Sequence, residues 1–138
     1  MTYIRPINRF MYNHIDVTLL TQPLAEQLFN NAAHNIQKID LSGFTEVRVL
    51  CFVARNSSSA NSPKLSLQYN DTYSTTPSDY DNIGSSAVEI SLATAGLIDS
   101  GWVSLIDAAK ADVFLCLIQS GGDGVQSPEI CRTFIELR

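Results

Sequence analysis

The sequence predicts an all-β fold, an antiparallel β-sandwich of jelly-roll type, preceded by an extended N-terminal arm. Three observations predict it. Lys64 to Asn70 reads Lys-Leu-Ser-Leu-Gln-Tyr-Asn, with Leu65, Leu67 and Tyr69 alternating against polar residues, which is the period-two signature of a half-buried strand. The same habit recurs in short runs divided by polar loops, the pattern of a sandwich or barrel. No heptad and no internal repeat competes with it.

The elements follow in order. Residues 1–14 read as an arm: Pro6 interrupts regular structure, and Tyr3, Ile4, Ile7, Phe10, Met11 and Tyr12 are too apolar for a free tail. Such an arm must be covered, by its own body or by a neighbour. Residues 15–138 form the sandwich domain. Ile15 to Leu20 is expected as its first strand. Thr21 to Phe29 is expected as a short helix, since Thr21 can cap it, Pro23 suits its first turn, and Leu24 and Leu28 recur at helical spacing. Ile36 to Leu41 is a strand ended by Ser42-Gly43. Thr45 to Arg55 carries Val47, Val49, Cys51 and Val53 on one face and Leu50 and Phe52 on the other, so it lies in a sheet centre or under another element.

Asn56 to Pro63 is a polar loop. Asp71 to Ser86 is a longer one, and loops of that length are often functional. Ala87 to Leu92 alternates again. Gly101 to Leu105 is a short strand carrying Trp102. Ile106 to Ala111 is a one-turn connector, and Asp112 to Gln119 an almost wholly apolar central strand. Gly121 to Gly124 turns sharply, and Ile130 to Leu137 closes the domain. The tally of about eight strands fits a jelly roll.

Composition narrows the function classes. The 138 residues suit one domain that needs neither metal nor disulfide to hold its core. Hydrophobic residues make up 45% and charged residues 17%, so Ser, Thr, Asn and Gln supply much of the polar surface. Uncharged polar groups are cheaper to dehydrate than ions, which suits close contact within an assembly. The net charge of −5 divides into +2 over residues 1–14, from Arg5 and Arg9, and −7 over the rest. Nucleic acid is repelled by such a body. A basic arm fits an acidic neighbour, including a copy of itself; a solvated acidic face with two unrelated arginines is the plainer reading. No apolar run reaches the ~20 residues of a membrane helix, and Met-Thr-Tyr-Ile-Arg-Pro, with no h-region or small-residue cleavage site, is not expected to be a secretory signal.

No constellation names a reaction, so the chain is expected not to be an enzyme. His14 and His34 have no metal-ligand spacing. No Gly-x-Ser-x-Gly elbow, phosphate loop or dinucleotide fingerprint is found. No catalytic, cofactor or metal residue is assigned. Asp71, Asp79, Asp81, Asn82 and Asp123 offer oxygens to calcium, but ordinary turn chemistry explains them equally. Cys51, Cys116 and Cys131 read as buried free thiols, with a Cys51–Cys116 disulfide open if their strands pair. Trp102, Tyr73 and Tyr80 are candidate glycan contacts, because sugars stack on aromatic faces. Burial of Trp102 in the core is the competing reading.

The runs Ile-Asp-Leu-Ser-Gly-Phe-Thr-Glu-Val-Arg-Val from Ile39, Pro-Lys-Leu-Ser-Leu-Gln-Tyr, Ser-Gly-Trp-Val-Ser-Leu, Ala-Asp-Val-Phe-Leu and Gly-Gly-Asp-Gly resemble those of small tailed-phage virion proteins built on a β-sandwich. Capsid decoration (cement) proteins and tail- or fibre-associated modules use such domains. The resemblance implies a structural role in the virion, reached by assembly in a host cytoplasm, with the major capsid protein or another virion protein as partner. It carries over no catalytic residue and does not extend to the arm. The expectation is a homo-oligomer that binds a capsid surface through Tyr3, Ile4, Arg5, Ile7, Arg9, Phe10 and Tyr12. A carbohydrate-binding or tail-associated adhesion module is the alternative.

Overall fold

A computed structural model of the chain describes residues 8–11, 27–28, 36–55, 63–121 and 129–138. Among them are eleven strands: β1 (Asn8–Met11), β2 (Gln27–Leu28), β3 (Gln37–Asp40), β4 (Glu46–Arg55), β5 (Lys64–Asn70), β6 (Asp81–Asn82), β7 (Glu89–Ser91), β8 (Gly96–Asp99), β9 (Val103–Ser104), β10 (Asp112–Ser120) and β11 (Glu129–Leu137). Two 3-10 turns, Pro77–Asp79 and Asp107–Ala109, complete them.

The strands form two antiparallel sheets. The first runs β1-β11-β4-β8, with β9 continuing beside β4; the second runs β2-β10-β5-β6, with β3 on β10 and β7 on β5. Where two short strands share one neighbour they fill one ladder position, so each sheet is four positions wide. Counted by ladder position, with β2 and β3, β6 and β7, and β8 and β9 each taken as one, the chain changes sheet at every step except from β5 to β6 and β7. That course is the jelly roll the sequence predicts.

Alternation explains the core. Val47, Val49, Cys51 and Val53 of β4 face Leu65, Leu67, Val113, Leu115 and Leu117 across the sandwich, all nearly inaccessible to water. Each such side chain contributes roughly 1.5–3 kcal/mol by leaving water. Loop residues Leu41, Ile83, Leu92 and Leu105 close the ends.

Three sequence expectations change. Asn8–Met11 pair antiparallel with β11, Asn8 opposite Leu137 and Met11 opposite Phe134. That part of the leading segment is therefore an edge strand of the body. Gln27–Leu28 pair with Gln119 and Ile118, so the described part of the expected helix is strand. An available sheet edge outweighs the weak helical preference of an Asn-rich stretch. The expected strand at Ile15 to Leu20 lies outside the described residues. Finally, β8 is a strand the alternation did not announce.

The long loop is not structureless. It holds the Pro77–Asp79 turn and β6, and Gly84 bridges to Leu105. A Cβ on Gly84 would meet Val103 Cγ1 at 2.5 Å and the Ser86 carbonyl at 2.8 Å, so only glycine lets the loop lie this close to β9.

Candidate functional site

The outer face of the first sheet carries two zones. The first begins with a repeated pattern, Glu46-Val-Arg48 on β4 and Glu136-Leu-Arg138 ending β11. Antiparallel pairing sets Arg48 opposite Glu136. The mutual backbone bonds of Glu46 and Arg138 set those two opposite each other. Unlike charges then face one another across the strands. Arg48 Nε donates to Glu136 Oε1 at 2.6 Å, and an Arg48 Nη donates to Asp99 Oδ2 at 3.3 Å. Arg138 donates from Nε and Nη to the two oxygens of Glu46, at 3.1 and 3.4 Å. The Glu136 side chain is only 3% exposed, a burial that a carboxylate tolerates when ion pairs of this kind support it.

Trp102 joins the same zone. Ser100 N donates to the Val49 carbonyl, and Val49 N donates to Ser100 Oγ, both at 2.9 Å. Gly101, at φ +76°, then turns the chain, and its N–H donates to Asp99 Oδ1 at 2.8 Å. A residue with a Cβ is strained at that φ. The turn delivers the half-buried Trp102 onto the arginines: the guanidinium carbons of Arg48 and Arg138 lie 4.6 and 4.1 Å from its ring centroid. Each such contact contributes about 0.5–2 kcal/mol. Trp102 is thus neither a core residue nor an open stacking platform.

The second zone lies further along β4. Phe52 stands opposite Leu97 of β8, and the two are 44% and 67% exposed. Partly exposed Leu50 and Phe134 adjoin them.

The outer face of the second sheet is different. Phe114, Cys116 and Ile118 of β10 point away from the core, and Tyr80 from the long loop covers them, only 5% exposed. Tyr80 Oη donates to the Ser74 carbonyl at 2.8 Å. Burial foremost, then the neighbouring Cys116, pushes the Tyr80 hydroxyl above its ordinary pKa. Burial likewise pushes the Cys116 thiol up to about 12. Tyr80 is therefore a covering residue and is withdrawn as a glycan contact. Tyr73 stays available, 55% exposed, its ring edge-on to Phe114 at 6.0 Å. Lys38 Nζ lies 5.6 Å from the Phe114 centroid and pairs with Asp112.

Other candidates resolve by position. Cys51 faces the core while Cys116 lies on the outer side of the second sheet, and both are free, so the disulfide is ruled out. Of the oxygens considered for calcium, Asp79 Oδ2 serves a turn, accepting from Ser74 Oγ at 2.5 Å, while Asp81 and Asn82 lie on β6. Among the described residues no three His, Cys, Asp or Glu gather as a metal-holding group. The same residues include no helix long and apolar enough to cross a membrane. Tyr3, Ile4, Arg5, Ile7, Tyr12, His14, His34 and Asp123 lie outside the described residues; Arg9 and Phe10 fall on β1, at register positions opposite Glu136 and Ile135.

Sequence reasoning missed the Arg48–Trp102–Arg138 cluster. Its one linear trace is the repeated Glu-x-Arg, which becomes informative once the two strands are known to pair. Compared with known proteins, the chain matches no family model, and neither a curated protein nor a solved structure matches it.

Proposed function

We propose that the chain is a virion structural protein that decorates a capsid surface, holding on through its leading segment and through contacts between copies. The observation that supports this is the pairing of β1 with β11. It anchors the leading segment in the body, so that whatever residues 1–7 grip is coupled to a rigid sandwich. Tyr3, Ile4 and Ile7 supply apolar area, at roughly 25 cal/mol per Å² removed from water. Arg5 sets register against an acidic partner, and many copies on a lattice add avidity. In this reading the domain performs no catalysis.

The test is a deletion of residues 1–7 that keeps β1. The shortened chain is expected to melt like the full one and to lose at least about tenfold in binding to purified particles. Undiminished binding would remove the arm from the mechanism. Copy number per particle separates the locations: many copies place the protein on the shell, a handful on the tail.

Exposed Tyr73 favours a second reading, a carbohydrate-binding adhesion module. Under it Tyr73→Ala abolishes retention on a glycan array, while the deletion of residues 1–7 leaves retention intact.

A further inference from the structure

Two features of the surface belong together: where the apolar side chains are exposed, and where the charge is. Among the described residues three large hydrophobic side chains are exposed, and two of them, Phe52 and Leu97, are register neighbours on the outer face of the first sheet. The net charge lies elsewhere. Asp40 stands opposite Asp112, Asp81 stands opposite Tyr69, and Asp71 follows the end of β5. With Asp79 and Asp107 in the two 3-10 turns, six exposed carboxylates crowd one end of the sandwich. Among the described residues Lys38 pairs with Asp112 and Lys110 with Asp107. Glu46, at the start of β4, marks the same end on the first sheet, because Leu41 N donates to the Ala111 carbonyl and Thr45 N to the Arg138 carbonyl.

Phe52 is six residues along β4 from Glu46, or about 20 Å at strand rise. The intervening acids Asp99 and Glu136 are held by Arg48. A chain of net charge −5 repels its own copies, but this patch lies away from the carboxylate-rich end that contributes most to that repulsion among the described residues.

We infer that the outer face of the first sheet, centred on Phe52 and Leu97, is an interface for a second copy of this chain. The copies pack face to face about a two-fold axis that lies in the interface and crosses the strands. This deepens, and rests on, the proposal that copies contact one another. The geometry follows from the charges. With strands antiparallel across the interface, the acidic ends lie at opposite poles, roughly 40 Å apart by the same rise and far beyond the Debye length of about 8 Å in physiological salt. A parallel arrangement brings them together. Apolar centres are self-complementary, as an isologous contact requires.

The experiment is sedimentation of the full chain without particles, so that its outcome is independent of capsid binding. Wild type is compared with Leu97→Lys and Leu97→Glu, alone and mixed in equal amounts, with Tyr73→Ala as a distant control. Position 97 is largely exposed, so both variants are expected to keep the wild-type circular dichroism and, at concentrations low enough that every chain is monomeric, its melting temperature. The expected result is a wild-type and Tyr73→Ala dimer, a dissociation constant raised at least about tenfold in each single charge variant, and recovery of a dimer in the mixture. A wild-type monomer at about 100 μM, a dimer that survives both substitutions, or a mixture that stays monomeric would each overturn the inference.

Discussion

The two outer faces of this sandwich began from the same kind of sequence and ended differently. Both β4 and β10 are central strands with apolar residues on their outward side, Leu50 and Phe52 on one, Phe114, Cys116 and Ile118 on the other. Over β10 the long loop folds down and buries Tyr80 on the outward residues. Over β4 the charged zone packs around Trp102, while Phe52 and Leu97 stay in water. An apolar outward face therefore has two fates, and the difference is supplied by a distant loop. The covered face reads as stability, and the open one is the face to which the inferred second copy docks.

Replacing the cover is expected to have the largest effect. Tyr80→Ala removes a buried aromatic and should lower the unfolding free energy by about 4 kcal/mol in urea titrations. It should also make Cys116 react with a thiol reagent at neutral pH without unfolding. If stability changes by less than about 1 kcal/mol, the loop is not a structural cover.

The charged zone comes next. Arg48→Met leaves the Glu136 carboxylate buried without the guanidinium beside it, and is expected to cost about 3 kcal/mol. Adding Glu136→Leu to it should recover most of the loss, because a matched apolar pair has no charge to desolvate. Failure of that recovery would show that Trp102 stacking, and not the buried carboxylate, dominates there.

The covered thiol gives a pH signature. The Cys116 pKa is raised from 9.0 to about 12, so the native state keeps a proton that the unfolded chain releases. The contribution is fully present below pH 9 and is lost as pH rises toward 12. Cys116→Val is expected to flatten this part of the stability–pH curve relative to wild type, and an unchanged slope would mean that the thiol is hydrated. The smallest effect is expected on the open face: Phe52→Ser, compared with wild type at a concentration where both are monomeric, should shift stability by no more than about 0.5 kcal/mol. A larger loss would make Phe52 a packing residue, and the contrast between the faces would fail.

The strands that alternate were legible. Lys64–Asn70, Glu46–Arg55, Asp112–Ser120 and Glu129–Leu137 fall within a residue or two of where the pattern puts them, because period two is imposed by the pleat itself. β8 escaped notice because it opens on Gly96 and runs only to Asp99, too short for alternation to register. Tyr80 and Trp102 were both legible as aromatics with a role, but not their surroundings. Tyr80 packs on Cys116 and Ile118, 36 and 38 residues away, and Trp102 is met by arginines 54 and 36 residues away in the chain. Nothing in linear spacing reports such contacts; strand register does.

Asn8 stands directly across from Leu137, so the first described residues and the last leave the sheet at one pole. A short peptide bridging them would yield a circular permutant that keeps β1 zipped to β11, with new ends free to be cut elsewhere. A reporter grafted after residue 138 would sit beside the carboxylate-rich pole and well clear of Phe52, and two such reporters on paired copies would point in opposite directions.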